Sequence, residues 1–247
     1  QGLAAMFAMM NHARTDVALQ GVAHAARAYD IAASYAAERQ QGRSPEGAPV
    51  TIDQHADVRR MIDEIDRLAL GARAIAHLAC VTMERGDNSA LVEFLTPLAK
   101  VYCTEAGMRA VELGMQVLGG YGYLREYRIE QTYRDARITA IYEGTNGIHA
   151  RMMATRLAGS AAGDAFASYM QKEASRLSSE KAVMLLELWH TTREGVLNAK
   201  DPSVLAEDFL QASIKALLAC IWANLDHNKS HHPDGARLER LCSNRSA

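Results

Sequence analysis

The stretch 116–156, QVLGGYGYLREYRIEQTYRDARITAIYEGTNGIHARMMATR, sets two glycine-interrupted turns on either side of a short charged helix. The second turn holds one carboxylate, Glu143, within the segment IYEGT at 141–145. Long apolar-faced patterns precede this stretch and more helical patterns follow it. We therefore expect packed helices to hold the two turns in place.

Composition favours helices over strands. The chain has 247 residues, of which 49% are hydrophobic, 11 are methionine and only 5 are proline. Aromatic residues make up 6%, and no sustained alternation of β-branched residues is visible. The sequence predicts an all-α protein, either one large domain or a domain with an appendage.

Charge and hydropathy limit the possible partners. The net charge is −2 with acids and bases interspersed, so a nucleic-acid partner is not indicated. No apolar run approaches ~20 residues and no signal peptide is visible, so we predict no membrane span and a cytoplasmic protein. The chain starts at Gln1 and enters a helical pattern at once, which indicates a fragment of a longer protein.

Apolar stripes at spacings of three and four residues predict long helices joined by short loops. Antiparallel packing of such helices gives an up-down four-helix bundle. The predicted bundle helices span 3–38, 53 or 55 to 85, 89–118 and 145–157, with loops at 42–49 and 86–89. The tail predicts two more helices, 180–198 and 203–225, and a loop at 230–235. We place a bundle domain at 1–159 and an additional helical region at 160–247.

The two turns each allow a structural and a functional interpretation. Gly119, Gly120 and Gly122 let the backbone approach a ligand, but a glycine run after a helix is also a common C-cap. Glu143 could act as a general base held between two helices, or could merely interact with the positive end of the helix capped by Thr145 or Asn146. Burial beside Tyr142 would favour the protonated carboxyl group, whereas the helix end would favour the carboxylate.

These motifs resemble the C-terminal helical domain of the acyl-CoA dehydrogenase family. The resemblance covers about residues 3–157 and is strongest in QVLGGYGY at 116–123, YRDAR at 133–137 and IYEGT at 141–145. The segments MFxMMNxAR at 6–14 and YAxERxQG at 35–42 narrow it to the branch that includes 3-methylmercaptopropionyl-CoA dehydrogenase. Members of that branch carry an extra C-terminal helical region.

The resemblance implies an FAD enzyme that oxidises an acyl-CoA to its 2,3-enoyl form. Glu143 aligns with the base that removes the α-proton while a β-hydride goes to the flavin. The thioester carbonyl would accept hydrogen bonds from the Glu143 N–H and from a flavin ribityl hydroxyl. Some members carry the base on the first helix instead, beside the arginine matching Arg14; here that neighbour is Ala13, which favours Glu143.

The resemblance also implies binding residues and partners. Electrons would pass to an electron-transfer flavoprotein or a similar acceptor, and the enzyme would be a homodimer or homotetramer. Arg39 matches an arginine that contacts the FAD pyrophosphate of a neighbouring subunit, and Thr145 matches a residue near the flavin of its own subunit. The implied substrate contacts are Asn11, Arg14, Tyr142 and Gly144, and the implied cofactor contacts are Arg39, Gln116, Gly119, Gly120 and Thr145.

The sequence departs from the family's motifs at two places, and several alternative functions stay open. The family's common Arg-x-x-Phe-Gly is here Arg39-Gln-Gln-Gly, and Gly147 stands where a cofactor-contacting glutamine often occurs. The family's N-terminal helical and middle β-domains are absent from the sequence, so we expect the chain alone to be inactive. The rivals are an acyl-CoA oxidase or other flavoenzyme on this scaffold, a non-catalytic helical oligomerisation module, and, more distantly, a metal-binding bundle.

Overall fold

A computed structural model of the protein describes residues 2–243, with side chains from residue 9 onward. The described chain is helical almost throughout, which confirms the all-α prediction. Its α-helices are α1 (Gly2–Glu38), α2 (Ala56–Arg85), α3 (Ser89–Leu118), α4 (Ile129–Thr139), α5 (Asn146–Met152), α6 (Ala161–Leu177), α7 (Glu180–Asn198), α8 (Ala206–Asn228) and α9 (Gly235–Ser243). A π-helical turn, Met153–Leu157, extends α5.

A short hairpin replaces part of the loop predicted at 42–49. Its strands, β1 (Gln40–Arg43) and β2 (Pro49–Thr51), pair antiparallel. The turn between them is closed by a hydrogen bond from the N–H of Ser44 to the carbonyl of Ala48, 2.8 Å long, and contains Gly47 at φ 86°. Strands of three or four residues are too short to produce a readable alternation of polar and apolar residues, which is why the sequence did not indicate them.

Helices α1 and α3 approach each other until their backbones touch. A Cβ atom on Gly21 would lie 2.2 Å from the carbonyl oxygen of Cys103, and one on Gly107 would lie 2.7 Å from the carbonyl oxygen of Gly21. Further along, Gly114 faces Ala28. The facing positions increase together along both helices, so α1 and α3 run parallel.

Helix α2 runs antiparallel to α3, which confirms the predicted up-down arrangement. The thiol of Cys103 donates to the carbonyl of Ala72 at 3.3 Å, and Arg109 pairs with Glu64 at 3.3 Å. Helix α4 covers α1 and α3 near their C-terminal halves, while α5 packs on α3 and α8. The helix predicted from Thr145 is therefore present, and it links the bundle to the tail.

An aromatic cluster joins the tail to the start of α3. Phe94 stacks on Phe166 of α6 with ring centroids 4.3 Å apart, and Trp189 of α7 and Phe209 of α8 complete the cluster. All four side chains are fully buried, and the indole N–H of Trp189 donates to the hydroxyl of Ser213 at 2.9 Å. The hydrophobic core is therefore continuous from the bundle into the tail.

The tail contains more helix than we predicted. Helix α7 has the predicted bounds, and α8 follows a 3-10 turn at Pro202–Leu205 and extends to Asn228. Helix α6 lies where no helix was predicted, and α9 begins where the predicted loop ends. On α9, Arg237 pairs with the buried carboxylate of Asp66, while Arg240 reaches Asp63 at 3.2 Å. These ion pairs attach α9 to α2.

Substituting Gly21 with alanine tests the backbone contact between α1 and α3. Because the new methyl group would overlap the Cys103 carbonyl, we expect Gly21→Ala to lower the free energy of unfolding by about 1–3 kcal/mol or more. Gly147→Ala is the matched control, since a Cβ on that helical glycine meets nothing within 4 Å. Urea unfolding followed by circular dichroism measures both; equal stability of the two variants would contradict the contact.

Candidate functional site

The turn that carries Glu143 lies between α4 and α5 and contains two successive residues with left-handed backbone. Glu143 has φ 53° and Gly144 has φ 94°. A Cβ on Gly144 would lie 2.9 Å from Nε2 of His149, so glycine is needed there both for its φ and for space. Glu143 itself pays the steric cost that side-chain-bearing residues incur in this region. Such a bend persists only where surrounding contacts hold it.

Contacts from three different helices hold this bend. The hydroxyl of Tyr142 donates to the side-chain oxygen of Gln20 on α1. The Nε2–H of His149 on α5 donates to the carbonyl of Glu143 at 3.0 Å. The ammonium of Lys100 on α3 donates to the carbonyl of Gly144 at 2.8 Å. The three consecutive residues 142–144 are thus tied to three separate elements.

Thr145 and Asn146 have different structural roles. The hydroxyl oxygen of Thr145 accepts a hydrogen bond from the N–H of Ile148 at 3.4 Å, so Thr145 is the N-cap of α5. Asn146 instead turns toward α3: its amide oxygen accepts from Lys100 at 2.9 Å, and its amide NH₂ donates to Glu105 at 3.1 Å. Of the two capping candidates in the sequence, Thr145 is the one used.

Arg14 and Asn11 face this bend from α1. Arg14 donates to the side-chain oxygen of Asn11 at 3.3 Å. Burial lowers the pKa of Arg14, and the negative charge of Glu143 opposes that effect, so the two side chains interact electrostatically. The structure therefore brings together one group of predicted residues: Asn11, Arg14, Tyr142, Glu143, Gly144 and Thr145.

Glu143 is exposed, so burial beside Tyr142, one of the two opposing influences considered from the sequence, is not found in the structure. Tyr142 is itself 36% exposed, and its hydroxyl is bonded to Gln20 of α1. Within the described residues, the backbone N–H of Glu143 has no hydrogen-bond acceptor. The bend thus presents an exposed carboxylate that interacts with Arg14, together with a backbone N–H for which the described residues provide no acceptor.

Two buried titratable groups, Lys100 and His149, donate hydrogen bonds to the backbone of the bend. Burial lowers the pKa of Lys100 to about 8, an effect that Glu105 and Glu143 oppose. Burial and the positive charge of Arg14 lower the pKa of His149 to about 4. A neutral His149 with its proton on Nε2 fits the hydrogen bond to the Glu143 carbonyl, because that carbonyl can only accept.

The lowered pKa of His149 predicts a loss of stability in acid. An unfolded histidine binds a proton near pH 6.5, whereas His149 in the fold does so only near pH 4. Between these values the unfolded state binds more protons, so the free energy of unfolding falls as pH falls. Relative to His149→Gln, which keeps an N–H donor but does not titrate, we expect an extra loss of about 3 kcal/mol.

Urea unfolding of both proteins at about pH 7 and about pH 4 measures this difference. Parallel pH dependence of the wild type and His149→Gln would contradict the neutral, buried state of His149.

A second group of predicted residues lines a cleft at the other end of α1. The cleft has a volume of about 460 Å³, and its walls include Arg39, Gln116, Gly119 and Gly120. The guanidinium of Arg39 lies over the ring of Tyr121, 5.2 Å from its centroid. Gly119 has φ 58°, and a Cβ on either glycine would meet no atom within 4 Å, so both leave open space beside the arginine. His55, which also lines the cleft, was not predicted.

The two groups lie far apart in one chain. Arg39, one residue past the end of α1, follows Arg14 by 25 positions, which corresponds to about 37 Å at the rise of an α-helix. Thr145 therefore does not join the other predicted cofactor residues. The predicted cofactor contacts are divided between two surfaces of the same molecule.

Several residues of the site were not found from the sequence. Lys100 is a charged residue in the otherwise apolar run LTPLAKV at 95–101, and this interruption was a usable signal. Gln20, Glu105 and His149 carry no comparable signal, because ordinary helix surfaces contain the same residue types. Their roles depend on which helices become neighbours.

The described part of the chain contains no feature that supports a metal site or a membrane span. No group of three or more histidine, cysteine, aspartate or glutamate side chains within residues 9–243 is placed to hold a metal ion. None of the described helices combines the length and apolarity needed to cross a membrane.

Comparison with known proteins identifies relatives along most of the chain. The family described as acyl-CoA dehydrogenase, C-terminal domain, matches residues 1–158. The chain is 44% identical over 161 residues to 3-methylmercaptopropionyl-CoA dehydrogenase of Ruegeria pomeroyi, covering 60% of the chain and 27% of that protein. It is 29% identical over 194 residues to a butyryl-CoA dehydrogenase of Syntrophomonas wolfei, covering 73% and 32%.

A solved structure resembles almost the whole fold. The acyl-CoA dehydrogenase of Bacillus anthracis, whose structure is a complex with FAD, superimposes with a TM-score of 0.69 at 21% identity. The match covers 96% of this chain and 47% of that one, so it extends through the tail helices. At this identity the match supports the fold alone. The chain spans only about a quarter to a third of the length of the two relatives above.

Proposed function

This chain belongs to the acyl-CoA dehydrogenase family, and we propose that it is the C-terminal part of an FAD-dependent enzyme that oxidises an acyl-CoA thioester to the 2,3-enoyl-CoA. The observation that carries the proposal is the bend at Glu143, where one residue offers both a carboxylate that interacts with Arg14 and a backbone N–H with no acceptor among the described residues. A base and a hydrogen-bond donor are the two groups needed to remove a proton next to a carbonyl.

The residues at the two surfaces fit an FAD cofactor. In the cleft, the guanidinium of Arg39 suits a phosphate, and the open space at Gly119 and Gly120 lets a ligand reach the backbone. At the other surface, Thr145 lies beside Glu143 at the N-terminus of α5. FAD, when bound, supplies the acceptor for the hydride from the β-carbon.

In the proposed reaction, the carboxylate of Glu143 removes the proton from the α-carbon of the acyl group. The N–H of Glu143 donates a hydrogen bond to the thioester carbonyl, whose oxygen gains negative charge as the proton leaves. Asn11 and Arg14 border the acyl-CoA site, and Tyr142 and Gly144 shape the backbone around the base. Exclusion of water by the bound substrate and cofactor would strengthen these interactions.

Two copies of the chain are required to complete one cofactor site. Because Arg39 and Glu143 are separated along the length of α1, we propose that one copy supplies the Arg39 cleft and another supplies the Glu143 bend. An isologous dimer would then contain two equivalent sites. Electrons would leave through an electron-transfer flavoprotein or a similar acceptor.

Replacing Glu143 tests the proposed base. In the full-length, FAD-loaded protein, we expect Glu143→Gln to slow anaerobic bleaching of flavin absorbance by an acyl-CoA about 10²–10⁴-fold while FAD stays bound. Glu84→Gln changes an exposed carboxylate at the end of α2 and serves as the control. Bleaching by Glu143→Gln at the control rate would refute the role of Glu143. The 247-residue chain alone, which leaves Glu143 exposed to water, should give no bleaching.

Mixing two inactive variants tests the two-copy site. We expect Arg39→Glu and Glu143→Gln each to be inactive alone, the first through loss of FAD. On co-expression, random pairing makes about half of the dimers hybrids, and each hybrid contains one intact site of two. The mixture should therefore regain about a quarter of the wild-type activity, and purified hybrids about half. Arg43→Glu, an exposed arginine outside the cleft, controls for the charge change. Absence of recovery in verified hybrids would contradict the shared site.

Two rivals are separated by simple measurements on the full-length protein. Rapid reoxidation of the reduced flavin by oxygen, with release of peroxide, would identify an acyl-CoA oxidase. Failure to bind either FAD or acyl-CoA would leave a non-catalytic helical module that pairs subunits.

A further inference from the structure

Lys100 is a charged side chain that is buried among apolar residues of α3. It is fully buried in the middle of α3, next to the fully or almost fully buried Leu98, Ala99 and Val101. Placing an ammonium group there is unfavourable unless its hydrogen bonds are satisfied. An aliphatic side chain of similar length would fill the same volume at a lower desolvation cost. The position of the ammonium group therefore needs another explanation.

Within the described residues, the Lys100 side chain donates its hydrogen bonds to the turn that carries Glu143 and to the first residue of α5. The ammonium donates to the carbonyl of Gly144 at 2.8 Å and to the side-chain oxygen of Asn146 at 2.9 Å. Asn146 is in turn fixed by its bonds to Thr104 at 3.3 Å and Glu105 at 3.1 Å, both on α3. Lys100 thus ties the two residues that flank Thr145, Gly144 and Asn146, to helix α3.

This connection matters because the bend is strained. Glu143 and Gly144 both have positive φ, and for Glu143 this conformation is intrinsically unfavourable. Gln20 and His149 hold the neighbouring groups, the hydroxyl of Tyr142 and the carbonyl of Glu143. Without the Lys100 ammonium, the carbonyl of Gly144 would lose the 2.8 Å hydrogen bond that ties it to α3, and the bend could relax toward ordinary backbone geometry.

We infer that Lys100 is a positioning residue, which holds the Gly144 carbonyl and the Asn146 side chain so that the Glu143 carboxylate and N–H point in one fixed direction. The inference rests on the proposed function, since it assigns a purpose to that direction. Lys100 does not touch the reacting atoms; it acts through the backbone of the bend.

Hydrogen exchange of the 247-residue chain tests the structural half of the inference. The N–H of Asn146 donates to the carbonyl of Ala140 at 3.2 Å and reports whether the bend is closed. In Lys100→Met, which keeps a flexible side chain but lacks the ammonium, we expect exchange of this amide to be about tenfold faster or more. Exchange in the centre of α2 should be unchanged.

Thr96→Val is the matched control. Thr96 is equally buried, lies one turn earlier on the same face of α3, and its hydroxyl donates only to Val92 of its own helix, at 2.7 Å. It should leave exchange of the Asn146 amide at the wild-type rate. If Lys100→Met lacks a cooperative thermal transition, Asn146→Ala replaces it, since that variant removes one of the two acceptors and should loosen the same amides.

Kinetics of the full-length, FAD-loaded protein test the functional half. Lys100→Met should lower kcat about tenfold or more with little change in KM, because Asn11 and Arg14 are intact, and FAD should remain bound. Unchanged kcat or unchanged exchange in Lys100→Met would overturn the inference while Glu143→Gln still slows bleaching. If Glu143→Gln bleaches normally, the proposed function itself fails, whatever Lys100→Met does.

Discussion

The contact between the backbones of α1 and α3 is the constraint on which the rest of the structure depends. Only glycine at positions 21 and 107 permits it, because a methyl group at either would overlap a carbonyl of the facing helix. Buried alanines on α1, including Ala25, Ala28 and Ala32, continue the close approach toward the cleft. These small side chains bury less hydrophobic area than larger ones would, but they set the distance and register between α1 and α3.

This register also positions the candidate site. Arg14 precedes Gly21 by seven residues, and Lys100 precedes Gly107 by seven residues. Because the helices are parallel, both cations come to the same level, two turns from the crossing, and each interacts with Glu143. The bend after α4 therefore meets two cations that come from two neighbouring helices. A change in the α1–α3 register would separate these groups.

The tail packs against the bundle at two places. The stacked rings of Phe94 and Phe166, with Trp189 and Phe209, bury the N-terminal part of α3 under α6, α7 and α8. In α2, the buried carboxylate of Asp66 forms an ion pair with Arg237 of α9. The tail and the bundle thus share one core, although they lie on either side of the predicted domain boundary.

Local sequence patterns determined most of the helical bounds, because caps and periodicity act between neighbouring residues. Helix α3, which is capped by Asn88, and helix α7 both begin and end where the apolar periodicity predicts. Helix α6 could have been recognised from the four-residue spacing of Ala162, Phe166, Met170 and Ala174, whereas the short hairpin left too few residues for any pattern. The candidate site residues were named from the motifs around Glu143 and Gly119, together with the segments 6–14 and 35–42 and the family resemblance that these motifs carry.

Only the tertiary structure decided how those residues are grouped and what supports them. The separation of the Arg39 cleft from the Glu143 bend follows from the uninterrupted length of α1, and the exposure of Glu143 follows from the path of the bend. The contact between Lys100 and Gly144 joins positions 44 residues apart. This contact depends on how the helices pack and in which register. The identities of the two residues do not specify either.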